Sequence, residues 1–258
     1  LNSAKHFTYT TPLLPVHDSN LRNTPLLTSK AYHYLETPQD MKTRLTCLLA
    51  LRKEATATGA LELELEPDRP FIIWEPAPWS CKPENLQPTL DTAHLVDVLS
   101  PNHLELAALF GESPATAHDK ATIESLALKI LESGVGPDGK GTVVVRAGEN
   151  GSVVVARDIP PTWLPPFYMC GPAGEQHSKV VDPTGAGNAF LGAYAVGYLR
   201  TGNAVEAACY GTVGGSFALE QVGMPELFSG EDGELWNGAD VLARLREYRE
   251  SVGLGPLV

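Results

Sequence analysis

Positive charge is scarce in this 258-residue sequence: 19 lysines and arginines face 31 aspartates and glutamates, for a net charge of −12. No Lys/Arg cluster interrupts the acidic background, so nucleic acid and anionic membrane are repelled rather than recruited. Cysteine is scarce as well. Cys47, Cys81, Cys170 and Cys209 form no C-x-x-C pair and no zinc-like spacing with the histidines. That excludes a zinc module and predicts reduced thiols in a cytoplasmic protein. Long apolar runs are missing: Ala189–Leu199 falls far short of the roughly 20 residues that a membrane span needs. No signal peptide is visible. Also absent are a Walker A Lys-Ser/Thr, a dinucleotide-type G-x-G-x-x-G and the G-x-S-x-G elbow of serine hydrolases. With 43% hydrophobic and 19% charged residues, the chain is neither disordered nor fibrous.

What is present is an alternation of apolar β-rich runs and helical patterns. The strands expected are Lys30–Leu35, Phe71–Trp74, Val96–Leu99, Thr142–Arg146, Ser152–Ala156 and Lys179–Val181. The helices expected are Asp40–Ala57, Pro101–Phe110, Lys120–Glu132, Gly187–Arg200, Val205–Gln221 and Asp240–Ser251. Such alternation predicts an α/β fold, a mostly parallel sheet with helices on both faces. Asn150-Gly151 predicts a hairpin turn between Thr142–Arg146 and Ser152–Ala156. Two segments read as loops: the acidic Gly59–Pro70 and the Pro-rich Ile159–Ser178, which is long enough to suggest a lid or a partner surface. No internal repeat or linker is visible, so residues 1–258 read as one domain.

The most informative string is Val180-Val181-Asp182-Pro183-Thr184-Gly185-Ala186-Gly187-Asn188-Ala189-Phe190. A short strand should run into a small-residue turn that opens a helix. Gly185 and Gly187 carry no side chain, so backbone N–H groups can approach an anion. The following helix puts its positive dipole end at the same point. A tight turn without ligand is the plainer alternative for a bare Gly-x-Gly, but the whole string favours an oxyanion or phosphate pocket. In an acidic chain such a pocket has to rely on backbone N–H groups and Mg²⁺.

This string resembles the second signature of the PfkB (ribokinase-like) family of carbohydrate and nucleoside kinases, commonly D-T-x-G-A-G-D. Asn102-His103-Leu104-Glu105 resembles its N-x-x-E motif. Arg146-Ala147-Gly148-Glu149-Asn150-Gly151 stands where relatives have T-x-G-x-x-G. Ala204–Ala218 and Val222-Gly223-Met224-Pro225 resemble the adenine-side helix and loop. The wording Asp-Pro-Thr-Gly-Ala-Gly-Asn is similar to a fungal, killer-maintenance-type branch. The resemblance implies a ribokinase-like three-layer αβα sandwich and an ATP-dependent phosphotransferase acting on a hydroxyl of a sugar or nucleoside. It implies that Gly185, Ala186 and Gly187 hold charge on the transferred phosphoryl group, with Asn188 at the position of the family's catalytic Asp. Asn102 and Glu105 would organise Mg²⁺, and Asp182 and Thr184 would help form a monovalent-cation (K⁺) loop. Arg146, Gly148, Gly151, Thr212 and Gly215 fall on the nucleotide side. Arg146 departs from the usual Thr and reads equally as a phosphate contact or a solvent-facing residue. Gly151 is also explained by its turn alone, and the small face of Ala204–Ala218 also suits helix–helix contact. The alternative for Asn102 and Glu105 is a solvated helix start after Ser100-Pro101. His103 and Trp74 read as structural. Glu75 could reach the Mg²⁺ network, but an exposed loop carboxylate is the plainer reading.

Asn188 alters the mechanism that the resemblance implies, because an amide is no general base near pH 7. Losing that role lowers the rate by about 10²–10⁴, which phosphoryl transfer can survive if positioning and electrostatics persist. Three readings follow: a slow or unusual kinase, a nucleotide-binding pseudokinase with a scaffold or partner-binding role, or a chain inactivated by Asp-to-Asn replacement. The family's Gly-Gly substrate motif and lid strands precede the point that matches Leu1, so a missing N-terminal part or a covering partner is expected. A homodimer is one form such cover could take.

Overall fold

The computed structural model describes residues 12, 16–58, 69–230 and 233–255. The chain divides into two compact units, Leu1–Ser29 with Thr43–Arg69, and Lys30–Lys42 with Pro70–Val258. In the first, Arg52 is buried and donates to the carbonyls of Leu27 (2.5 Å) and Ser29 (3.2 Å), tying a short helical turn to a helix that buries Leu45 and Leu48. The acidic segment Gly59–Pro70 lies outside the described residues except for its last two.

The second unit contains a six-stranded sheet in sequential order. Strands β1 (Ala31–Glu36), β2 (Phe71–Pro76), β3 (Val98–Leu99) and β4 (Thr142–Arg146) are parallel; β5 (Ser152–Ala156) and β6 (Ile159–Leu164) complete it antiparallel. The helices in chain order are α1 (Pro38–Thr58), α2 (Leu86–Ala93), α3 (His103–Leu109), α4 (Lys120–Gly134), α5 (Ala186–Thr201), α6 (Ala204–Leu219) and α7 (Val241–Ser251). A two-stranded hairpin, β7 (Leu227–Gly230) and β8 (Gly233–Trp236), lies between α6 and α7.

Strand alternation sorts the core into two layers. Ile73, Val98, Val144, Val154 and Leu164 pack against Phe190, Leu191 and Tyr194 of α5, Ala207 and Val213 of α6, and Leu245 and Tyr248 of α7. Their neighbours Ile72, Trp74, Leu99, Val143, Val145 and Val153 are fully buried on the other face, where α3 and α4 pack. Each such side chain contributes about 1.5–3 kcal/mol on burial. Both faces covered by helices make a three-layer α/β/α sandwich, as expected from the sequence.

The small-residue face of α6 packs on α5. A side-chain carbon at Gly211 would lie 2.9 Å from the Phe190 ring, and one at Gly214 would collide with Ala193. Helix–helix contact therefore explains both glycines. Asn203 caps α6 by accepting from the N–H groups of Val205 (2.9 Å) and Glu206 (3.1 Å). Glu206 does not return the bond to close a capping box. It takes a bidentate pair from Arg249 of α7, both bonds at 2.7 Å.

Two expected boundaries change. Lys179–Val181 is not a strand: the N–H groups of Val181 and Asp182 both reach the carbonyl of Leu219, so the segment turns instead of joining a ladder. Conversely, the first six residues of the Pro-rich segment form β6. Pro160 and Pro161 lack N–H donors, and an outer strand beside a register shift at Val154/Ala156 tolerates that. The continuation is anchored to α6 and α7. Tyr248 donates to the carbonyl of Pro165 (2.6 Å), and Tyr168 donates to Glu220.

Candidate functional site

Helix α5 begins at a turn that suits glycine. Gly185 is the N-cap and is left-handed (φ 85°, ψ −14°), a conformation costly for residues with a Cβ. Its carbonyl accepts from Ala189 (2.9 Å), and Ala186 donates back to Pro183 (3.3 Å). No side chain caps the helix, and the N–H groups of Gly187 and Asn188 find no acceptor among the described residues. These are the donors a helix N-terminus offers an anion. Asp182 precedes them in a turn of its own, accepting from the Thr184 N–H (3.0 Å). The Asn188 side chain is exposed.

Beside this turn, the C-terminal ends of the parallel strands bring together charged residues distant in sequence. Arg146 ends β4. Its Nη2 donates to Glu75 Oε1 on β2 (2.6 Å) and to the Ser100 carbonyl after β3 (3.0 Å). The second oxygen of Glu75 meets His33 Nε2 on β1 at 3.1 Å. Arg146 Nη1 has no hydrogen-bond partner among the described residues, and it lies so close to Gly187 that a side-chain carbon there would collide with it. Arg146 therefore links the sheet to the first turn of α5. Its Nε is buried and unpartnered.

Asn102 forms a β-bridge with Arg146, and Glu105 follows it three residues on. The Asn102 side chain accepts from the N–H groups of Leu104 and Glu105, both 2.9 Å, and Glu105 Oε2 accepts from the Asn102 N–H (2.7 Å). Their i, i+3 spacing is thus a reciprocal capping box that starts α3. Neither solvation nor a shared ion is needed to account for it. Glu105 is buried, and its Oε2 stands 3.8 Å from Arg146 Nη2.

Burial sets the two carboxylates apart. It pushes Glu105 up to about 7; the Arg146 charge and the Asn102 N–H oppose the rise only in part, and Glu75 adds to it. Burial also raises Glu75, but the His33 hydrogen bond and the Arg146 charge outweigh it and hold that carboxyl below the ordinary range. The nearby Cys81 thiol is driven up to about 12 by burial and by both acids, so it stays protonated.

The remaining expected residues spread along the structure. Gly148 and Gly151 lie in the turn after Arg146, both with positive φ (57° and 84°). A side-chain carbon at Gly151 would collide with the Leu164 carbonyl, whereas at Gly148 it would stand 3.7 Å from the His103 ring. Thr212 turns its hydroxyl to the Ala208 carbonyl within α6 (2.9 Å). A carbon on Gly215 would make ordinary contact, 3.4 Å from the Ala186 carbonyl at the start of α5. His103 meets the Arg146 carbonyl through Nδ1 (3.3 Å), a structural contact.

For Glu75 the plainer sequence reading, an exposed loop carboxylate, is wrong: it is 7% exposed and lies on β2. Sequence reasoning also missed His33 and the Ser100 carbonyl. The available signal was strand parity: Glu75 continues Phe71 and Ile73, as Arg146 continues Thr142 and Val144, so each charge ends the strand face that packs on α5.

Among the described residues, no group of three His, Cys, Asp or Glu could hold a metal ion. The second Glu105 oxygen has no hydrogen-bond partner among the described residues, and Mg²⁺ at phosphates is commonly held by one or two carboxylates with waters. Glu105 fits that role.

A sequential α/β/α sheet with a glycine turn opening a helix at the strand C-termini has the fold of the ribokinase-like kinases. Ribokinase of Thermotoga maritima superposes with a TM-score of 0.51 over 90% of this chain and 61% of its own, at 22% identity. The chain belongs to the pfkB family of carbohydrate kinases, whose pattern matches residues 77–226. It is 33% identical to an uncharacterised protein of Schizosaccharomyces pombe over 96% of this chain and 67% of that protein. It is 29% identical to protein MAK32 of Saccharomyces cerevisiae over 72% of this chain and 50% of that one. The chain thus spans half to two thirds of the length of these relatives. No helix among the described residues is long and apolar enough to cross a membrane.

Proposed function

We propose that this chain forms the nucleotide-binding part of an ATP-dependent phosphotransferase that acts on a hydroxyl of a sugar or nucleoside. The observation that carries the reading is the convergence at one point of donors that have no partner among the described residues. The N–H groups of Gly187 and Asn188 open α5, and the guanidinium of Arg146 lies against Gly187. Glu105 of the N-x-x-E motif stands 3.8 Å from that guanidinium, held by the Asn102 N–H.

In this reading Gly185–Gly187 and Arg146 receive the phosphates, and Glu105, steadied by Asn102, faces Mg²⁺. The dication would neutralise phosphate charge in a chain that is itself acidic. Asp182 and Thr184 would border a monovalent cation such as K⁺, and Gly148, Gly151, Thr212 and Gly215 would border the nucleotide. Asn188 sits at N3 of α5 with its side chain open to an incoming hydroxyl. It can orient that hydroxyl by hydrogen bonding but cannot take its proton. Catalysis then rests on positioning and charge, with the proton leaving late to water or phosphate.

The amide at Asn188 also favours a second reading, a nucleotide-binding pseudokinase with a scaffold or partner-binding role. The two are separated by the full-length protein and its Asn188→Asp variant, measured for ATP binding and for turnover over a sugar and nucleoside panel. Wild-type turnover within about 10⁴-fold of the Asp variant supports the kinase. ATP binding with no wild-type turnover supports the pseudokinase. Failure of both proteins to bind nucleotide refutes both.

A further inference from the structure

The contacts around Arg146 assign a role to two residues outside every motif discussed above. A guanidinium is a planar fork, always charged. Here one arm is occupied: Nη2 is held between Glu75 Oε1 (2.6 Å) and the Ser100 carbonyl (3.0 Å). The other arm, Nη1, makes no hydrogen bond among the described residues and lies against Gly187, whose own N–H is also without an acceptor. Glu75 is in turn held from behind by His33 (3.1 Å), and its side chain is only 9% exposed. Both carboxylate oxygens are therefore committed, and the guanidinium can rotate in neither direction without losing a short charged bond.

We propose that Glu75, backed by His33, is a positioning residue that fixes the free arm of Arg146 beside Gly187 as a charged donor to the phosphoryl group bound at the start of α5. This rests on the nucleotide-binding reading above. It explains why β4 ends in arginine in a chain so poor in basic residues, and why the residue it touches on α5 has no side chain. It also names a source of transition-state charge stabilisation that requires no proton acceptor. Preorganised donors aimed at developing charge need no rearrangement at the moment of transfer.

The test compares wild type with Arg146→Met, Arg146→Lys, Glu75→Gln and the Glu75→Gln/Arg146→Met double variant in the full-length protein. Calorimetric titration with Mg·ATP and with adenosine separates phosphate contacts from base contacts, and thermal melts identify variants that fail to fold. A charged hydrogen bond lost from the site weakens binding by about 10- to 100-fold. Arg146→Met is expected to lose that much for ATP while adenosine affinity stays within about threefold. Lysine, which keeps the charge but not the fork, should recover only part of it. Glu75→Gln should weaken ATP selectively and add nothing to Arg146→Met, since Glu75 acts through the arginine. Equal loss for ATP and adenosine, no loss in Arg146→Met, or additive effects in the double variant each overturn the proposal. Wild type binding ATP with no sensitivity at Arg146 refutes this inference alone. Wild type binding no ATP refutes the function on which it rests.

Discussion

Replacing Gly187 with alanine gives a sharp test of the link between α5 and the sheet, because two effects of opposite sign meet at one carbon. Gly187 occupies a helical position with ordinary backbone angles, and there Gly→Ala normally stabilises by about 1 kcal/mol. The new methyl would, however, strike Arg146 Nη1, and the guanidinium must retreat by about 1 Å to restore ordinary contact. A flexible arginine would move at little cost. This one is held at 2.6 Å by Glu75 and at 3.0 Å by the Ser100 carbonyl, and full rupture of such a buried pair costs about 3–5 kcal/mol. With partial rupture, Gly187→Ala should destabilise by about 1–3 kcal/mol in the wild type. In an Arg146→Met background it should become neutral or stabilise by up to about 1 kcal/mol. The coupling is then about 1–4 kcal/mol, above the few tenths expected of independent sites. Urea unfolding of the four proteins, followed by circular dichroism, measures it. The same loss in both backgrounds would show that the guanidinium is not fixed against the helix.

Glu105 carries a pH signature of the opposite sign to that of a salt-bridged acid. Its folded value of about 7 lies above the ordinary 4.5, so its contribution is fully present below pH 4.5 and is lost as the pH rises towards 7. Glu105→Gln keeps the cap to Asn102 and should be on the order of 3 kcal/mol more stable than wild type at pH 8 and equal to it near pH 4.5, in urea midpoints taken in metal-free buffer; an unchanged profile would refute the assignment. Glu75 is held low, so its contribution disappears only as the pH falls through its folded value, at the acid end of the same series. Gly151→Ala should destabilise by about 3 kcal/mol or more, since it combines a positive φ of 84° with a collision at the Leu164 carbonyl. Gly148→Ala at φ 57° meets only His103 and should cost about 1–2 kcal/mol, and equal thermal shifts for the two would contradict the geometry.

Much of the fold can be read from apolar periodicity, and its failures have local causes. The β4–β5 hairpin is bounded as its valines and Asn-Gly turn predict. Ile159–Leu164 looks like loop because two prolines break the strand pattern. It becomes a strand because an outer position with a register shift leaves their missing donors without consequence. Lys179–Val181 has the opposite history: its valines suit a strand, but their N–H groups are claimed by the end of α6. That competition depends on tertiary contacts and has no signature in the segment itself. The glycine turn and the N-x-x-E pattern were legible as motifs, though one motif has two meanings. Asn102 and Glu105 cap a helix whether or not an ion is present, so spacing alone cannot separate the roles.

The least legible feature is the one that bears most on Asn188. Glu75 and Arg146 are 71 residues apart, and only the parallel order of β2, β3 and β4 brings them together. A sequence reader sees a lone acid before a proline and an arginine where threonine is usual. The folded chain has a clamped cation lying against the turn that carries Asn188. Loss of a general base removes about 10²–10⁴ in rate, and one well-placed arginine contributes about 10³–10⁵ in other phosphoryl transfers. The two magnitudes are comparable, so a site that has exchanged a base for a fixed charge need not have lost its chemistry. The pH dependence of turnover should distinguish such a site. A carboxylate base imposes an acid limb at its own titration, whereas amide and guanidinium titrate nowhere near neutrality. Glu105, raised to about 7, gives both proteins one acid limb, so the expected outcome is a second limb that appears only with Asn188→Asp. Identical profiles in the two proteins would place the proton acceptor elsewhere.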